Sequence, residues 1–301
     1  MAWKVSVKQV PLKSNDISSV RKFASATNRI GAQPVKRLKS WNLEEFCGKA
    51  FKPQVPAHLP RQLETSIAAQ QNWFNHDRGR NDADSAQPLS PKQDFWSNYR
   101  DLLVPLELTT DDGNGVTFLQ TQAPLGILLQ WMEQATPESG QRLYLAQCRL
   151  ADLPHPLRKD VPTPEIVLKA GKGDVYDANL WMGLAPTYTP LHRDPNPNLF
   201  LQLAGKKVVK LFPPDAGASI FAQVQEKLGR NASGAFRGEE MMQGVERELL
   251  EWETWDRNCN RKDEFEAIID HGEALFIPLG WWHSIKGVGK GITASANWWF
   301  R

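Results

Sequence analysis

The stretch "PTYTPLHRDPNPNLFLQLAGKKVVKLFPP", residues 186–214, sets two short apolar runs, "NLFLQLAG" and "KKVVKLFPP", back to back at a glycine, behind a third run that ends in "HRD". Short apolar runs cut by Gly, Pro and Asp read as strands joined by tight turns. The same punctuation governs the chain from residue 142 onward, in "RLYLAQCRL", "EIVLKA", "NLWMGLAP", "FEAIID", "EALFIPLGWWHSIKG" and "GITASANWWF". Many strands at close spacing, most without a helix between them, predict an antiparallel barrel or double-sheet jelly roll. The one long interruption, residues 215–264, carries the helical patterns "ASIFAQVQEKLG" and "ERELLEWETW" and reads as an insertion between strands.

Strand alternation gives the polar residues of that stretch a direction. His192 and Asp194 point to one side of their strand and Arg193 to the other. A third group, His283, closes the apolar run "GEALFIPLGWWH", 89 residues beyond Asp194. Two imidazoles and one carboxylate converging from two strands would form a facial metal triad with open positions, and nitrogen and oxygen donors without thiolate favour Fe(II) over structural zinc. A histidine on a strand is also a common satisfied core residue, so H-x-D alone carries little weight. In "KKVVKLF", Lys207, Val209 and Leu211 share one face and Lys206, Val208 and Lys210 the other. The face with a single lysine is the inward one, where a buried ammonium needs an anion, unless the side chain reaches an edge and its tip reaches water.

The 301 residues, 41% hydrophobic and 23% charged, suffice for a sizeable core, and the formal charge of +2 gives no global argument for nucleic acid or an anionic membrane. Cys47, Cys148 and Cys259 lack zinc-finger or C-x-x-C spacing and suit a reducing compartment. No apolar run is long enough to span a bilayer, so the expectation is an intracellular protein, cytoplasmic or nuclear. The first 30 residues hold six Lys/Arg and only Asp16 as an acid, a weak match to a mitochondrial leader. Residues 1–40 read as an N-terminal arm, and residues 41–141 as a helical and loop flank. That flank opens with a short helix capped by Ser40 in "SWNLEEF", has a polar loop at 75–94, and includes the helices "FWSNYRDLL" and "APLGILLQWMEQAT". Residues 142–301 form the strand-rich core. Trp281 and Trp282 read as packing residues beside His283.

Taken together, residues 186–214, "GEALFIPLGWWHSIKG" and the closing "ANWWF" resemble the JmjC-type cupin oxygenases. They are most similar to the hydroxylase branch typified by the asparaginyl hydroxylase of hypoxia-inducible factor. The resemblance covers residues 142–301 and implies a double-stranded β-helix core, mainly β with flanking helices. It implies that His192, Asp194 and His283 bind Fe(II), and that Lys207 pairs with the distal carboxylate of the cosubstrate 2-oxoglutarate. Thr189 and Tyr144 would reach the same carboxylate, Asn198 and Asn297 would line the pocket of cosubstrate and metal, and Trp299 would form a wall. By position alone Tyr144 and Trp299 also fit ordinary core aromatics, and Asn198 a turn former.

The resemblance implies that O2 and 2-oxoglutarate are consumed to succinate and CO2 while a substrate C–H is hydroxylated. An amino-acid side chain of a protein or peptide is the first expectation for that substrate, by analogy. Demethylation of N-methyl-lysine is the enzymatic alternative, followed by oxidation of a nucleic-acid base or a small molecule. A catalytically silent cupin that only binds is the alternative from another class. The sequence ends at Arg301, right after "ANWWF", without the C-terminal helices that dimerise that hydroxylase, and no oligomeric state follows. The 215–264 insertion is expected to wall the substrate entrance, since loops at a barrel mouth carry specificity.

Overall fold

A computed structural model describes residues 32–62, 67–75, 89–111, 113, 115–135, 140–230, 241–256 and 261–301. Most of the expected N-terminal arm and of the 75–94 loop lies outside the described residues. In chain order the strands are β1 Gln33–Pro34, β2 Ala57–Leu59, β3 Phe74–Asn75, β4 Ser90–Pro91, β5 Leu103–Asp111, β6 Val116–Pro124, β7 Gln141–Arg149 and β8 Val175–Leu184. There follow β9 Thr187–Arg193, β10 Asn198–Ala204, β11 Lys206–Phe212, β12 Phe265–Ile269, β13 Ala274–Ile277, β14 Trp282–Val288 and β15 Ile292–Phe300. They form a five-stranded sheet, β1-β12-β11-β14-β9, an eight-stranded sheet, β2-β13-β10-β15-β8-β7-β5-β6, and the small ribbon β3-β4. All pairings in the two large sheets are antiparallel except β1 with β12. This is the expected jelly roll.

The chain crosses from the large sheet to the small one through a single residue, Gly205, between β10 and β11. Its φ of 67° is left-handed, and a Cβ there would lie 2.4 Å from the Ile292 carbonyl, so only glycine fits the crossing. The strands then sort their residues by period two. In β10, Leu199, Leu201 and Leu203 join the core between the large sheet and the helices outside it, while Phe200 joins Val209, Leu211 and Ile277 between the two sheets. The helix Leu125–Gln134 covers the outer face of the large sheet with Leu125, Leu128, Leu129 and Met132, as its spacing predicts.

Three local expectations are corrected. The helix Leu43–Phe46 is capped by Asn42, whose Oδ1 accepts from the Glu45 N–H at 2.9 Å; Ser40 instead accepts from the Asn42 N–H. "EIVLKA" is the helix Glu165–Lys169, because Pro164 presets its start, Glu165 suits its first turn, and Ile166 and Val167 fill the core. The 41–141 region is not only helix and loop: β2, β5 and β6 extend the large sheet into it. Pro105 inside β5 and the mostly exposed face of the edge strand β6 hid that hairpin from a pattern search.

The insertion between β11 and β12 holds the helices Pro214–Lys227 and Gly244–Glu251 and a π-helical turn, Trp252–Asp256. Ile220, Phe221, Val224 and Leu250 pack on Leu191, Phe212 and Trp282, the outer face of the small sheet. The described part of the insertion thus backs the small sheet, and its residues 231–240 lie outside the described residues.

Candidate metal centre

His192 ends β9 and His283 lies directly opposite it on β14, their ring centroids 4.2 Å apart. Asp194 follows β9 in the turn to β10. Its carboxylate sits 3.8 Å from His192 Nε2 and 3.6 Å from His283 Nε2. One ligand atom from each of the three residues lies within 4.8 Å of the others, so the group can hold a metal ion. Each imidazole is fixed by a backbone carbonyl two residues earlier: His192 Nδ1 lies 2.8 Å from the Pro190 oxygen and His283 Nδ1 3.3 Å from that of Trp281. With Nδ1 so engaged, Nε2 keeps its lone pair for a metal. Burial, and next the His192 imidazole, hold the wholly enclosed His283 well below the usual imidazole range, which favours the neutral, ligating form.

Asp194 is oriented through amides. Asn198 donates to Asp194 Oδ2 at 2.8 Å, and Asn297 donates to Asn198 Oδ1 at 3.1 Å. The two asparagines expected to line the pocket therefore act in series on the carboxylate. Trp299 shares the inner face of β15 beside Asn198, its cross-strand neighbour.

Lys207 projects between the sheets, 3% exposed, as inferred from its face of β11. Its ammonium donates to Ser295 Oγ at 2.8 Å and to Tyr144 Oη at 3.2 Å, and lies 5.1 Å from the Phe200 ring centroid. Among the described residues no carboxylate forms an ion pair with it. Burial alone pulls its pKa down to about 7. Tyr144 keeps its proton, since burial, and secondarily the Glu107 carboxylate, push the phenol far up. Tyr144 faces Gly183 across β7 and β8, and a Cβ on Gly183 would lie 2.5 Å from the Tyr144 ring.

Thr189 reaches the metal-facing side by a route that simple alternation denies it. His283 pairs with His192 and Ile285 with Thr189, so Pro190 and Leu191 together oppose the single residue Ser284. This β-bulge inserts one extra residue and brings Thr189 and His192 to the same face. Proline, lacking an N–H, suits a bulge. Arg193 points outward and places its guanidinium 5.6 Å from the Trp282 ring centroid.

The inner face carries further groups that the sequence reading passed over. Glu107 of β5, 8% exposed, sits across from Tyr144. Trp181 of β8 lies 6.2 Å from Tyr144, ring to ring, and among the described residues its buried Nε1 has no hydrogen-bond partner, nor has Asn179 Oδ1. The signal was present in "VYDANLWMGL": Asp177, Asn179, Trp181 and Gly183 alternate with Ala178, Leu180, Met182 and Leu184. Side chains alternate along a strand, so these four positions share the face of β8 on which Tyr144 of β7 meets Gly183.

Fold and site together define a cupin jelly roll with a two-histidine, one-carboxylate metal centre between its sheets. The chain belongs to the cupin-like domain family, whose model matches residues 45–301, and its relatives are JmjC proteins. It is 30% identical over 156 residues to "Lysine-specific demethylase JMJ30" of Arabidopsis thaliana, covering 52% of this chain and 33% of that protein. It is 32% identical over 160 residues to "JmjC domain-containing protein D" of Dictyostelium discoideum, covering 50% and 33%. A longer match, 24% identical over 276 residues, covers 88% of this chain and 59% of "Jumonji C domain-containing protein 5" of Drosophila melanogaster. The matched stretch is about a third of the length of the first two relatives. Among the described residues no helix is long and apolar enough to cross a membrane.

Proposed function

We propose that the chain is an Fe(II)- and 2-oxoglutarate-dependent oxygenase that hydroxylates an aliphatic C–H in a side chain of a protein or peptide, releasing succinate and CO2. The observation that carries this reading is Lys207, a buried ammonium that has no carboxylate partner among the described residues and lies on the same inner face as His192 and His283. A buried cation calls for an anion, and a dicarboxylate cosubstrate brings one. His192, Asp194 and His283 supply two nitrogen donors and one oxygen donor, the set that suits Fe(II) and leaves open positions. When bound, the iron supplies the oxidising chemistry with O2. The protein's own residues bind and orient.

In this reading Lys207 pairs with the distal carboxylate of 2-oxoglutarate, while the Tyr144 and Thr189 hydroxyls donate to it. Asn198 and Asn297 hold Asp194 in its ligating rotamer. Trp181 and Trp299 wall the cavity and exclude water. Glu107 lies across from Tyr144 on the same face.

The likeness to the hydroxylase branch rests on the motifs around the triad. The names of relatives such as JMJ30 favour a second reading, removal of a methyl group from N-methyl-lysine. Incubating purified chain with Fe(II), 2-oxoglutarate and a library of basic peptides separates the two. A gain of one oxygen supports hydroxylation and release of formaldehyde supports demethylation, and both should vanish in Asp194→Ala. If wild-type chain converts no 2-oxoglutarate to succinate, with or without peptide, the enzyme reading gives way to a cupin that only binds.

A further inference from the structure

Among the described residues of the insertion behind the small sheet, one side chain reaches by hydrogen bond the point where the two ligand-bearing strands slip register. Trp255, in the π-helical turn, donates from Nε1 to Ser284 Oγ at 2.9 Å. Ser284 is fully buried and donates in turn to the Thr189 carbonyl at 2.8 Å. Ser284 is the residue that faces the bulge, next to His283 on its own strand and opposite Pro190 and Leu191 on β9. The hydroxyl thus ties the two ligand strands together at the point where their register slips.

The indole is itself clamped. Lys210 and Lys286 lie 5.2 and 4.8 Å from its ring centroid. Lys286 is paired to Glu251 at 2.8 Å, and Lys210 to Glu264 at 2.6 Å and to the Thr254 carbonyl at 3.0 Å. Cations over an indole face are attractive, and here their counter-ions, Glu251 and Glu264, both come from the insertion. A ring held this way cannot rotate its N–H off Ser284 without disturbing both pairs.

We infer that Trp255 is a positioning residue for the metal centre: through Ser284 it holds the β9 bulge, and so keeps His192 and Thr189 on the same face as His283. The inference rests on reading the triad as the metal site. Loss of the bulge would return β9 to strict alternation, in which Thr189 and His192, three residues apart, face opposite ways.

Cobalt(II), followed by its d–d absorption, tests this without turnover. Trp255→Phe removes the indole N–H and leaves a smaller aromatic ring between the two lysines, and Ser284→Ala removes only the hydroxyl. Each should lower Co(II) affinity about tenfold, the scale seen when a group orienting a metal ligand is lost, and should shift the d–d bands. The double variant should lose no more than either single variant, since both act through one chain of bonds. Wild-type affinity and spectrum in either single variant overturn the inference, as does a double variant whose losses multiply. A lowered melting temperature with unchanged Co(II) binding overturns it too, because that is what plain packing gives. If wild-type chain takes up no Co(II) at the triad, the reading of the metal site itself fails, and this inference with it.

Discussion

Lys207 illustrates how one residue ties fold to ligand. Its pKa of about 7 in the folded chain lies below the usual 10.5, so between those values the unfolded chain holds a proton that the folded one lacks. Unliganded, the fold therefore gains stability as pH rises through that window and carries the full burial penalty below it. A carboxylate beside the ammonium restores the charge. Binding of 2-oxoglutarate to Mn(II)-loaded chain at about pH 8.5 should take up close to one proton, measured by calorimetry in buffers of different ionisation enthalpy. Zero uptake would remove Lys207 from the carboxylate. Asn198→Ala should weaken Mn(II) binding by about 10- to 100-fold while leaving the fold intact, because it frees Asp194 to leave its ligating orientation; equal affinity would make that amide a bystander. His192, Asp194 and His283 were legible in sequence because alternation alone puts the first two on one side. Thr189 was placed at the site by resemblance only, since alternation turns it away, and what reverses this is a bulge that no local pattern announces.

At the scale of elements, the site depends on how closely neighbouring strands approach. Gly183 leaves the space that the Tyr144 ring fills, and Gly183→Ala should push the ring off Lys207. The expected result is weaker 2-oxoglutarate binding with unchanged Mn(II) affinity, read by titrating each in turn; a parallel loss of both would mean that β8 itself had shifted. Strands β9 to β11 and β13 to β15 could be read from their punctuation, since each is a short apolar run ended by Gly, Pro or Asp. The β5–β6 hairpin could not, because its proline and its exposed edge imitate a loop, and Glu107 went unnoticed with it. "EIVLKA" failed for the opposite reason. Five apolar or long-chain residues in a row fit either a strand or a short buried helix, and only the proline before them decides.

For the molecule as a whole, the metal ligands come from strands far apart in sequence, with the entire insertion lying between Asp194 and His283. The centre therefore exists only once distant segments have paired. Within that sheet β9 is a terminal strand, and among the described residues β14 is its one strand neighbour. The strand that carries the first histidine is thus hydrogen-bonded along one side and interrupted by Pro190, which has no amide to give. Such a segment belongs to the part of a fold that opens locally at low free-energy cost. In hydrogen exchange the amides of Thr187, Tyr188 and Thr189 should exchange fastest among the strands of the small sheet, and Mn(II) should slow them more than it slows β11. An ion held by His192 of β9 and His283 across from it would pin this edge by its side chains, so that occupancy of the centre and local opening of β9 become one linked equilibrium.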